Sequence, residues 1–135
     1  DIYPPENEEL ATEIIANKGF LLSELPPSTP PAPHFFKWRD RIQSGLTKGV
    51  FVIETGKSGG TLHTVNYAFR QGKKVYVWEP TTPSKLPEDK IAGNLMLLGL
   101  KEPSSNFKIK SKQRLNKVIS LSCPRKLKAE LDKIV

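Results

Sequence analysis

The sequence predicts an α/β fold in which a mostly parallel sheet is covered by helices. Three observations carry that expectation. Gly49-Val50-Phe51-Val52-Ile53 is a continuous apolar run of strand length. Lys74-Val75-Tyr76-Val77-Trp78 is a second β-rich run. Between them, Thr61 to Gln71 has helical character, and a strand–helix–strand order is how parallel strands are joined. Strands this apolar on both faces belong under helices on either side.

The elements can be justified in order. Glu6 to Lys18 places Leu10, Ile14 and Ile15 at helical spacing, with acidic residues in the first turns, and Gly19 stands where a helix would end on a C′ glycine. Phe20-Leu21-Leu22 is a short apolar run and predicts a buried strand. Pro26 to Pro33 is too rich in proline for a helix or central strand, so it predicts an extended surface loop. His34 to Leu46 is helical. Glu54 to Gly60 is a glycine-containing turn, and Glu79 to Pro87 is a Pro/Thr/Ser loop. Lys90 to Leu100 predicts a helix despite Gly93 and Gly99, and Phe107 to Val135 holds one strand-like run and one or two short helices.

The 135 residues suffice for one core. The single cysteine, Cys123, excludes an internal disulfide and a cysteine-based zinc cluster, and two histidines do not make a dense metal site. No metal or cofactor is called for, and the cysteine usage fits a reducing cytoplasm. No apolar run approaches the ~20 residues that span a bilayer. The chain begins at Asp1 without methionine or a signal-peptide layout, which suggests processing or truncation. Net charge is +7, favouring a polyanionic partner. The charge is uneven. Residues 1–26 carry six acidic residues against Lys18, whereas residues 107–135 carry nine basic residues against Glu130 and Asp132. That basic segment is either a solvated face or an accessory nucleic-acid arm.

Two motifs carry chemistry. Glu54-Thr55-Gly56-Lys57-Ser58-Gly59-Gly60-Thr61 lies between a buried strand and a helix, where open α/β sheets bind ligands. Glycines let backbone approach a phosphate, the helix start supplies partial positive charge, Ser58 and Thr61 can donate hydroxyl hydrogen bonds, and Lys57 adds a point charge. It is not a Walker A loop, because no Gly-Lys-Ser/Thr stands at the required spacing. An ordinary strand-to-helix turn would also use such glycines. The second motif, His34-Phe35-Phe36-Lys37-Trp38-Arg39-Asp40-Arg41-Ile42, interleaves basic and aromatic residues as single-stranded nucleic-acid sites do. Phe35, Trp38 and Ile42, at i, i+3 and i+7, equally suit a core face, which makes Arg39 and Arg41 the stronger ligand groups. Neither His34 nor His63 has a recognisable nucleophile beside it, so no catalytic residue is assigned.

Together these segments resemble the DNA-processing protein A (Smf) family. Residues 1–7 resemble its "GID-x-x-YP-x-EN" stretch, GFLLSELPP (19–27) its "G-x-LLSE-x-PP", and residues 34–46 its "HFP-x-RNRIISGL". Residues 49–64 resemble "GV-x-VVEA-x-x-xSGSLIT", and Gly93-Asn94-Leu95 with Gly99 resembles "GTN-x-LI-x-x-GA". The resemblance implies a Rossmann-like three-layer sandwich, of which this chain would hold the C-terminal half. It implies residues 1–103 as the partial domain and 104–135 as a basic C-terminal extension. It further implies a non-catalytic protein that binds single-stranded DNA in a positively charged pocket and presents it to a RecA-type recombinase during DNA uptake. Pocket positions would be Arg39, Arg41, Lys57, Ser58 and Gly59, joined by Gly60 and Thr61 from the loop reading. A homodimer, or association with a missing N-terminal fragment, would cover the exposed half-sheet. The chain departs from the family pattern at Phe36 (proline), Asp40 (asparagine), Gly60 (serine) and Trp78, where the family strand ends in "VPG".

The alternative is a nucleotide-binding protein or a phosphoribohydrolase of the "Lonely guy" type, from the same fold superfamily. That loop reads "PGG-x-GT-x-x-E"; here Thr64 stands where the glutamate belongs. A hydroxyl cannot supply the carboxylate that stabilises an oxocarbenium-like transition state.

Overall fold

The computed structural model describes residues 2–80, 86–105, 107, 109 and 117–133. They fall into two compact units, Asp1–Phe35 and Phe36–Val135.

In the first unit a 3₁₀ turn, Pro5–Asn7, leads into α1 (Glu8–Ala16). The helix stops in a double hydrogen bond: Lys18 N–H donates to Ile15 O at 3.0 Å and Gly19 N–H to Ile14 O at 2.8 Å. This is a Schellman stop, and the left-handed residue in it is Lys18 (φ 62°), not Gly19. Glycine is needed one position later for a different reason: a Cβ at Gly19 would sit 2.8 Å from Ile14 O. The expected buried strand at Phe20–Leu22 is absent. These residues form no strand and are 75, 49 and 59% exposed. Apolarity alone does not make a strand; a ladder partner does.

In the second unit, which takes in α2 (Pro33–Leu46) from Phe36 onward, the chain continues through β1 (Gly49–Val52), α3 (Thr61–Arg70), β2 (Lys74–Trp78), α4 (Glu88–Leu97), β3 (Val118–Leu121) and α5 (Pro124–Asp132). The strands form a parallel sheet in the order β1-β2-β3, with Val50 opposite Val75 and Val75 opposite Val118. This is an α/β, Rossmann-like arrangement. The sheet draws its third strand from the 104–135 segment. Glu79 N–H donates to Leu121 O (2.9 Å) and Ser120 Oγ to Glu79 Oε2 (2.7 Å), which carries the β2–β3 pairing past Trp78. Of that segment's basic residues, Lys108, Lys110, Lys112 and Arg114 lie outside the described residues, as do positions 81–85 of the proline-threonine loop.

Strand alternation divides the side chains between two faces. Val50, Val52, Val75, Val77 and Val118 pack with Leu62, Val65 and Ala68 of α3, Met96 and Leu97 of α4, and Phe107 and Ile109. On the other face Phe51 and Tyr76 stack, with ring centroids 4.4 Å apart and planes 7° from parallel. Burial raises the Tyr76 phenol pKa, and the Glu130 carboxylate on α5 raises it further, so α5 lies toward that face. The helix expected over Lys90 to Leu100 instead runs Glu88–Leu97. Gly99, at φ 72°, ends it: Leu100 N–H donates to Leu95 O at 2.8 Å and Gly99 N–H to Met96 O at 3.3 Å. Among the described residues no helix is long and apolar enough to cross a membrane.

Candidate functional site

The β1–α3 loop leaves the sheet at the C-terminal end of β1. Gly59 N–H donates to Gly56 O at 3.3 Å, closing a β-turn with Lys57 and Ser58 at its tip. Both are exposed, as are Gly60 and Thr61, while Gly59 is half-buried. Gly60, the N-cap of α3, has no side chain to cap the helix start, where Leu62 N–H and His63 N–H donate to Gly59 O (3.2 Å) and Gly60 O (2.8 Å). A helix start carries partial positive charge, so this turn sets that charge and the Lys57 cation at a single strand end. Gly59 is required by packing, since a Cβ there would lie 2.7 Å from Thr55 Oγ1.

Arg39 and Arg41 are exposed on α2. Being two residues apart, they diverge by about 200° around the helix axis and do not share a face. They flank Asp40, which turns toward α3, where Thr64 hydrogen-bonds its carboxyl group and His63 stands close. One turn further on, Ser44 Oγ donates to Gln71 Oε1 (2.6 Å) and Gln71 Nε2 to Arg41 O (3.0 Å). Asp40 thus meets the start of α3 and Ser44 its end, so the two helices run the same way. The Phe36–Arg39 turn therefore lies toward the loop end of α3. The Arg39 guanidinium sits over the Phe36 ring, 5.4 Å from its centroid.

The core face expected for Phe35, Trp38 and Ile42 is only partly formed. Phe35 and Ile42 are half-buried, but Trp38 is 52% exposed. Burial raises the Asp40 pKa above its ordinary value, against the opposing pull of His63, Arg39 and Thr64. His34 is exposed, its ring centroid 4.1 Å from that of Phe35. Among the described residues no three His, Cys, Asp or Glu side chains are grouped to hold a metal.

Sequence reasoning placed Asn94 in a motif but gave it no role. Wholly buried on α4, it accepts from Thr55 N–H at 2.8 Å and donates from Nδ2 to Ile53 O (2.9 Å) and Trp78 O (3.0 Å). The available signal was an amide amid Ile91, Ala92, Leu95, Met96 and Leu97, since a buried amide must find partners.

Comparison with known proteins gives a consistent result. The family model described as "DNA recombination-mediator protein A" matches residues 1–107. The chain is 44% identical over 75 residues to "DNA processing protein DprA" of Bacillus subtilis (strain 168), covering 56% of this chain and 25% of that protein. It is 40% identical over 75 residues to "Protein Smf" of Escherichia coli (strain K12), covering 56% of this chain and 20% of that protein. Against "DNA processing protein DprA" of Streptococcus pneumoniae (strain ATCC BAA-255 / R6), identity is 33% over 76 residues, covering 56% of this chain and 27% of that one. The matched part thus spans only about a quarter of these relatives' length.

Proposed function

The chain belongs to the DNA recombination-mediator protein A family, and from that premise we propose that it binds single-stranded DNA without catalysis, in the cytoplasm, as part of DNA uptake and recombination. One observation carries the reading: Lys57, Ser58 and Thr61 are exposed around a helix start at the C-terminal end of a parallel strand. A backbone phosphate fits that chemistry. Arg39 and Arg41 on α2 extend the positive charge, and the exposed faces of Phe36 and Trp38 offer bases a stacking surface. Presentation of the DNA to a RecA-type recombinase belongs to the same proposal. So does pairing with a second copy, or with the part of the longer relatives that this chain does not match.

The test is fluorescence anisotropy with labelled oligo-dT at about 50 and 200 mM salt. Micromolar or tighter binding that weakens steeply with salt is the expected result. Absence of DNA binding, alongside binding of a small nucleotide, overturns it. A second reading, chemistry on a nucleoside monophosphate, is favoured by one observation: an aspartate, Asp40, brings a carboxyl group to Thr64. Release of a free base from a nucleoside monophosphate, followed by chromatography, would establish it.

Asp40 also makes a quantitative prediction. Asp40→Asn should tighten oligo-dT binding roughly threefold to tenfold near neutral pH, the effect of removing one negative charge near a phosphate. Because the folded pKa lies above that of a free aspartate, ionising Asp40 costs stability; that cost is absent at low pH and complete once pH exceeds the folded value. The two proteins should therefore converge in DNA affinity and in stability as pH falls from about 7 toward 4. His63 is present in both proteins, but only the wild type sets a carboxyl group beside it, so the difference between the two profiles reports the Asp40 carboxyl together with its coupling to His63. Parallel pH profiles for the two proteins would refute the assignment.

A further inference from the structure

We infer that the Gly93–Asn94 step of α4 is the positioning element of the phosphate loop, an inference that rests on the reading of that loop proposed above. The bonds that hold the start of the loop come from outside it. Asn94 Oδ1 accepts from Thr55 N–H at 2.8 Å, and Nδ2 donates to Ile53 O at 2.9 Å and to Trp78 O at 3.0 Å. Gly93 N–H donates to Thr55 O at 2.8 Å. Within the loop, Gly59 N–H to Gly56 O and Thr55 Oγ1 to Gly56 O are both 3.3 Å, while at its far end Gly59 O and Gly60 O accept from Leu62 N–H (3.2 Å) and His63 N–H (2.8 Å) of α3. Short bonds in a buried setting outweigh long ones at the surface, so α4 fixes the Ile53–Gly56 end of the loop, from which the turn at Lys57 and Ser58 springs.

Steric fit leads to the same place. A Cβ on Gly93 would stand 2.5 Å from Gly56 O and 2.7 Å from Thr55 O. Both obstacles are backbone, so the loop itself would have to move. On the loop's side, a Cβ on Gly56 would stand 3.0 Å from Asp89 O. Backbone therefore meets backbone at this crossing with glycine on either side. Through Trp78 O the same amide ties the end of β2 to the end of β1, so the loop is referenced to the sheet as well as to the helix.

The decisive variant is Gly93→Ala in the full chain, assayed by oligo-dT anisotropy across a salt series, with circular dichroism to establish the folded fraction. Displacing the loop should lower affinity at least about tenfold and flatten the plot of log K against log salt by about 0.7 for each phosphate that the displaced loop no longer neutralises. A purely structural role would reduce only the active fraction and leave that slope unchanged. Wild-type affinity, or weaker binding at an unchanged slope, overturns the inference. If Gly93→Ala does not fold, Gly56→Ala imposes a milder version of the same displacement and is judged by the same slope. Lys57→Ala serves as the control. If it binds like wild type, the phosphate-loop reading itself fails. If it weakens binding while folded Gly93→Ala does not, only the positioning role fails.

Discussion

Asn94→Ala is expected to lower the stability of the second unit by about 3–5 kcal/mol. The side chain serves three backbone groups at once: Thr55 N–H, Ile53 O and Trp78 O. Truncation orphans all three beside a residue with no solvent exposure. Each buried group left without a partner costs about 1–3 kcal/mol, and the three losses overlap because one side chain makes them all. For a unit of this size the melting temperature should fall by about 12 °C or more. Asn94→Asp should do no better at neutral pH, because a carboxylate would face two carbonyl oxygens in place of the amide that donates to them. Urea unfolding followed by circular dichroism measures both. A loss under about 1 kcal/mol for Asn94→Ala would mean that water or a rearranged loop takes over these bonds.

The second large effect concerns affinity. Lys57→Ala combined with Arg41→Ala should reduce oligo-dT binding by at least about tenfold at low salt and flatten the salt slope by roughly 0.7 for each of the two side chains that meets a phosphate. The double variant should fold normally, since both side chains are exposed. The arginines should not contribute equally. Arg39 and Arg41 leave α2 in divergent directions, and Arg39 already lies over Phe36. Single replacements of each, on the same salt series, show which one reaches the DNA. An unchanged slope in the double variant would remove the charge argument from the proposed site.

Much of the fold was legible because local pattern and tertiary need coincide. Lys74–Trp78 forms a strand over the residues expected, since its apolar residues are buried on both sheet faces. The helix after the glycine loop begins at Thr61 as expected. Where expectation failed, a partner was missing from the reasoning. Phe20–Leu22 has the composition of a strand, but composition cannot supply a ladder. Trp38 has core spacing with Phe35 and Ile42, yet spacing only assigns a face and does not say what covers it. The candidate site divides in the same way. Lys57, Ser58 and Thr61 could be read from glycine spacing and strand position. Asn94 could be marked as an amide in an apolar helix, but not its role, because its partners lie 16, 39 and 41 residues away in the chain.

The strand order has a kinetic consequence. Among the described residues every pairing in this sheet is parallel, so none of these can begin as a local hairpin. Val50 must find Val75 across 25 residues, whereas Val75 must find Val118 across 43. On chain-closure entropy alone the second search costs about 0.5 kcal/mol more. On that count β1, α3 and β2 should pair first and β3 last, with the loop that precedes α3 assembled before β3 joins. Amides of β2, paired on both sides, should be the last to exchange with deuterium, and those of β3 should open first.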